Sequence, residues 1–112
     1  NLKRAMRLSP VVTAPRSTIL GTAYRNAGQL ELAVATLENT VKRFPAFISG
    51  RVALASCYVL MGKEQEAKQE AREILRREPA YTIARYTTPN LYRNKETIEE
   101  WAESLRKAGI PD

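Results

Sequence analysis

A self-overlap at 34 residues limits what this 112-residue chain can fold into more than any other feature of it. Leu20, Tyr24, Gly28, Ala33 and Pro45 return as Leu54, Tyr58, Gly62, Ala67 and Pro79, each pair 34 positions apart. Five coincidences at one offset imply a structural unit built twice and stacked, each copy hiding a face the other leaves open. Within the first unit, Ile19, Leu20, Ala23, Tyr24 and Ala27 recur at helical spacing, as do Leu30, Ala33, Val34, Leu37 and Val41. That spacing predicts two amphipathic helices buried through those sets. Gly28 stands between them, where a left-handed residue can end the first helix without steric strain and turn the chain back as an antiparallel pair. Gly21 and Ala33 are small where facing helices need close approach. Pro45 and Pro79 end the second helix of each unit, because proline disfavours helical geometry in the residue before it.

This order of residues resembles the tetratricopeptide repeat, whose 34-residue signature runs Leu-Gly, Tyr, Ala, a large apolar or aromatic residue, then Pro. The first unit reads Leu20-Gly21, Tyr24, Gly28, Ala33, Leu37 and Pro45, and the second Leu54-Ala55, Tyr58, Gly62, Ala67, Ala71 and Pro79. Ser17 and Arg51 replace the usual leading aromatic, Ala55 the Gly, and Ala71 the large apolar residue. The resemblance implies an all-α, antiparallel helix-pair solenoid with a right-handed superhelical sense, its repeats at 14–47 and 48–81. Residues 2–9 are expected to be the second helix of a truncated preceding repeat, with Leu2, Met6 and Leu8 exposed at an edge that favours a homodimer.

From Tyr81 the repeat restarts and fails, since Thr88 and Pro89 fall where the third copy of Leu20 and Leu54 is due. Residues 82–112 therefore predict an atypical cap: a short helix near Ala80 to Tyr86, a loop, then a last helix N-capped by Asn94. In it Ile98, Trp101, Ala102 and Leu105 share one face, and Gly109 and Pro111 close it. Trp101 is expected to cap the core. The tail, through Leu91-Tyr92-Arg93-Asn94 and the run Leu105 to Pro111, is similar to the ending of tetratricopeptide segments that follow the catalytic domain of bacterial adenylate/guanylate cyclases. That resemblance implies a non-catalytic signalling segment of a larger bacterial protein; a generic scaffold for an envelope, secretion or signalling complex is the alternative.

Composition argues against catalysis within the chain. It has no histidine, and Asp112 is its only Asp, so the aspartates a cyclase needs for metal have no counterpart. Cys57 is alone, which rules out a disulfide or a thiolate cluster and predicts a small buried apolar residue. No cofactor, metal or catalytic residue is expected. No apolar run reaches the roughly 18 residues of a membrane span, so membrane insertion is not expected and a cytoplasmic location is. The net charge of +6 lies wholly in residues 1–60, which hold eight Lys/Arg against Glu31 and Glu38; the remainder holds ten against ten. Lys3-Arg4-Arg7, Lys42-Arg43, Arg76-Arg77 and Arg106-Lys107 each fall in the last turn of a predicted helix, where cations suit the helix dipole, so nucleic acid is not the expected partner. Glu64, Glu66, Glu70 and Glu73 read as a solvated helix face.

What remains is the concave groove, lined in the resembled family by the first helix of each unit. Removing the residues that pack within a unit leaves Thr18, Thr22, Arg25 and Asn26 from the first such helix and Val52, Ser56 and Val59 from the next. These are the candidate site for a protein or peptide partner. Arg16, Arg25 and Arg51 favour an acidic segment in it.

Overall fold

The computed structural model describes residues 13–87 and 94–112. The expected helix at 2–9 with Leu2, Met6 and Leu8, and the turn at Leu91-Tyr92-Arg93, lie outside those residues. The described chain is all helical: α1 (Ala14–Asn26), α2 (Leu30–Arg43), α3 (Ile48–Leu60), α4 (Glu64–Arg77), α5 (Ile83–Thr87) and α6 (Lys95–Ala108).

The two hairpins α1/α2 and α3/α4 are built by the same local device. Gly28 and Gly62 have φ of 82° and 77°, and the amide just after each glycine returns to a tyrosine carbonyl: Gln29 N to Tyr24 O at 2.9 Å, Lys63 N to Tyr58 O at 2.8 Å. A β-carbon at either glycine would meet nothing within 4 Å, so backbone conformation alone selects glycine there. Gly21 is selected for the opposite reason, since a β-carbon there would sit 2.5 Å from Cγ of the fully buried Leu37. At the equivalent positions of the second hairpin the pair is Ala55 and Ala71, which shares the same space differently.

The other departures from the apolar pattern are compensated too. Ser17 is buried and hydrogen-bonds Thr40, which also donates to Thr36 O at 2.9 Å. Arg51, in the corresponding place on α3, donates from Nε to Pro45 O at 3.0 Å and pairs with Glu70 at 2.9 Å. Glu70 is therefore half-buried and structural, not part of a solvated face.

The core runs from Ala33, Val34 and Leu37 of α2 through Val52 to Tyr58 of α3 and Ala67, Ala71 and Ile74 of α4, and on to Tyr81, Ile83, Trp101, Leu105, Ala108 and Ile110. Cys57 is fully buried within it. The expected stripe on α1 is corrected: Ile19 is 68% and Leu20 48% exposed, and Ala14, Ser17, Gly21 and Arg25 are buried instead. Among the described helices α1 packs on α2 and α3 through the face that carries Ala14, Ser17, Gly21 and Arg25, and Leu32 of α2 is likewise half exposed on that hairpin.

The third unit is cut short. α5 begins at Ile83, not near Ala80, because the Thr82 hydroxyl accepts from Arg85 N at 3.1 Å and caps it there. Asn94 caps α6, accepting from Glu96 N at 2.8 Å and Thr97 N at 3.2 Å. Glu100 and Trp101 meet the end of α1, while Pro111 O accepts from Ile83 N at the start of α5, so α6 runs opposite to α1 and α3. It packs mainly on α3, with a second contact on α4. Its buried stripe is Trp101, Ser104, Leu105 and Ala108; Ile98 and Ala102 are only half-buried.

Burial leaves a pH signature. It pushes the Cys57 thiol up to about 11 against the nearby Arg25 charge, and the Tyr81 hydroxyl up to about 12. Tyr58 is raised as well, by burial and by its hydrogen bond to Glu38 at 2.5 Å. Folding thus holds protons that the unfolded chain releases, near pH 8.5 for a thiol and 10 for a phenol. The contribution is complete below about pH 8.5 and is lost as pH rises through the folded values. Melting temperature is expected to fall between about pH 9 and 11, and Cys57→Ala to flatten the early part of that fall. A pH-independent melt followed by circular dichroism would contradict the burial of these groups.

Candidate functional site

The seven groove candidates separate into two places. Thr18, Thr22 and Asn26, from one face of α1, line an open cavity of about 320 Å³ with Ile19, Ala23, Ser49, Ala53 and Tyr86. Thr18 Oγ1 is buried and has no hydrogen-bond partner among the described residues, although the hydroxyl lies close to Gly50. The cavity is therefore amphipathic and uncharged, its hydroxyls and one amide interspersed with aliphatic groups and an aromatic ring.

Arg25, Val52 and Ser56 are not in an open groove, which corrects the sequence expectation for them. Val52 and Ser56 are fully buried, Arg25 is 3% exposed, and Val59 is half-buried against the core. The helix α6 lies over this part of α3. Ser104 bonds Ser56 at 2.7 Å, and Arg25 Nε donates to the same Ser56 hydroxyl at 3.0 Å. The guanidinium stands 3.9 Å from the centroid of the Trp101 ring, whose other neighbour is Tyr86 at 5.1 Å and 26°. Asn26 Oδ1 accepts from Arg25 Nη1 at 2.8 Å and from Trp101 Nε1 at 3.2 Å. A cation, an indole and a phenol are thus layered, and the outermost ring forms one wall of the cavity.

Electrostatically Arg25 is a buried charge with partial compensation. Burial lowers its basicity, and Glu100 at 3.3 Å restores part of it. Nη2 has no partner among the described residues. A buried cation is tolerated only when paired or faced by acceptors and π-electrons, which is what Glu100, Ser56, Asn26 and Trp101 supply. Arg51 is likewise occupied, by Glu70 and Pro45 O. Of the three arginines expected to favour an acidic segment in the groove, only Arg16 stays exposed.

Tyr86, Ser49 and Ala53 were not among the sequence candidates. The signal for Tyr86 existed: it lies 34 residues after Val52, as Val52 lies 34 after Thr18. Thr88 and Pro89 stop the third unit, but α5 is long enough to deliver this one position.

The arrangement offers hydrogen bonds and a stacking wall but no nucleophile with a base beside it. No group of three or more His, Cys, Asp or Glu able to hold a metal occurs among the described residues, and no described helix is long and apolar enough to cross a membrane. Comparison with known proteins adds two family matches. Both are described as a tetratricopeptide repeat, one over residues 19–46 and the other over residues 49–81. Neither reaches residues 82–112, and no curated protein matches the chain.

Proposed function

This chain belongs to the tetratricopeptide-repeat family, and from that premise we propose that it is a non-catalytic protein-interaction module whose open cavity holds an extended, uncharged stretch of a partner protein. The observation that carries this is the cavity, built from Thr18, Thr22 and Asn26 of α1 and from Tyr86, the repeat equivalent of Thr18, and lined by no charged side chain. A peptide's apolar or aromatic side chain fits against Tyr86. Its backbone amides and carbonyls meet Thr22 and Asn26 on the α1 side of the cavity. α6 and Arg25 support this wall instead of touching the ligand.

Thr22→Arg tests it, because Thr22 is half-buried, lines the cavity and sits on an exposed side of α1. Peptides selected from a random display library on the wild-type protein are expected to lack charge, to carry an aromatic residue, and to lose affinity by about tenfold or more on the variant. Selected peptides that bind both proteins equally would place the interaction elsewhere. A segment of an adenylate/guanylate cyclase is the finer identity we infer, supported by the similarity of Leu91-Tyr92-Arg93-Asn94 and of Leu105 to Pro111 to the ending of such proteins. A cyclase domain in the same reading frame is its test.

A further inference from the structure

The helices of this array divide their charges by end. Those that start at the end where α1 begins, namely α1, α3 and α5, have no acidic residue in their first turn. The three that start at the opposite end each have one or more: Glu31 in α2, Glu64 and Glu66 in α4, Glu96 in α6. Those same three finish with paired cations, Lys42-Arg43, Arg76-Arg77 and Arg106-Lys107. Because the hairpins stack in parallel and α6 runs with α2 and α4, the cations gather at one end of the molecule. Each pair is separately explained by its helix dipole; what distinguishes the pairs is how far neighbouring carboxylates offset them.

Much of that end is neutralised locally. Glu73 serves Arg76 and Arg77, Glu78 serves Arg85, and Glu103 and Asp112 serve Arg106. The first hairpin is the exception. Arg16, Lys42 and Arg43 are exposed and have no ion pair among the described residues. Ser17 bonding Thr40 brings the start of α1 beside the end of α2, so the three stand at the same end of the first hairpin. The nearest carboxylate in sequence, Glu38, is turned to the Tyr58 hydroxyl.

We propose that the Arg16, Lys42 and Arg43 surface docks a short acidic segment, rich in Asp or Glu, of a partner protein. Its chemistry is opposite to that of the uncharged cavity, and it goes beyond the groove interaction. The patch suits a short run of carboxylates better than a polyphosphate chain, because the acidic groups Glu73, Glu78 and Asp112 interrupt the cations further along the same end. Attraction of this kind sets the association rate and orientation more than the final affinity, and falls with ionic strength.

The test is fluorescence anisotropy with a labelled oligoglutamate peptide on the described protein. Binding is expected at low salt, weakening as salt is raised. Replacing Arg16, Lys42 and Arg43 together by Gln is expected to weaken it by about tenfold. Replacing Lys63 and Lys95, near the opposite end, should leave it within about twofold, as should Thr22→Arg, which separates this surface from the cavity. Equal loss in both charge variants overturns the proposal, as does the absence of peptide binding at low salt. So does tighter binding of a charge-matched oligonucleotide or of phosphatidylserine vesicles. Salt-sensitive self-association in sedimentation that the Arg16, Lys42 and Arg43 variant abolishes assigns the patch to a second copy, and also overturns it.

Discussion

Replacing Trp101 by alanine is expected to destabilise the domain by about 3–5 kcal/mol, the largest effect of any single truncation in the cap. The side chain is 2% exposed and lies between the Arg25 guanidinium and the Tyr86 ring. Its loss opens a cavity and also removes the π face that helps a buried cation tolerate its site. Trp101→Phe separates the two contributions, since it keeps a ring but removes the Nε1 donor to Asn26; it is expected to cost about 1 kcal/mol beyond any repacking. Urea denaturation followed by circular dichroism measures both. A Trp101→Ala loss below about 1 kcal/mol would mean that α6 is not part of the folded core. Where the alanine variant remains folded, Tyr86 loses its backing, so peptide binding in the cavity should weaken alongside stability.

Gly21→Val is expected to cost about 3 kcal/mol, because Leu37 is fully buried and cannot retreat from a β-carbon placed 2.5 Å from its Cγ. Gly28→Ala provides the contrast. It meets open space, and only its φ of 82° penalises the substitution, by about 1–2 kcal/mol. The second hairpin suggests a sharper experiment. Ala55 and Ala71 occupy the places of Gly21 and Leu37, so the pair Gly21→Ala with Leu37→Ala copies a combination this fold already uses. Leu37→Ala removes the obstacle that makes Gly21→Ala unfavourable. The double variant should therefore lose less stability than the two single variants added together. Strict additivity in urea denaturation would show that the two positions do not share space.

Much of the helical order was legible because it depends on short-range chemistry. Gly28, Gly62, Pro45 and Pro79 punctuate the chain, and Leu30, Ala33, Val34 and Leu37 repeat on the helical period that buries them. The face of α1 was not legible from the same rule. Ile19 and Leu20 look like core residues in isolation, but the side of α1 that α2 and α3 cover carries Gly21 and Ser17. The groove was half legible. Thr18, Thr22 and Asn26 follow from register, whereas the burial of Arg25 and Ser56 depends on Ser104, Glu100 and Trp101, which no local period connects to them. A basic, solvent-seeking side chain such as Arg25 reads as surface until its distant partners are known.

Arg25 and Glu100 are 75 positions apart, as are Asn26 and Trp101, so the two extremes of the described chain touch. A stack whose members meet only their neighbours can fray one member at a time. Here, loosening the first hairpin strips the indole of its Arg25 and Asn26 contacts, so damage to α1 is felt in the final helix even though that helix stays packed on α3 and α4. The molecule is therefore expected to melt as a single cooperative body, and the closure of so long a loop to slow its folding relative to a purely local helical array.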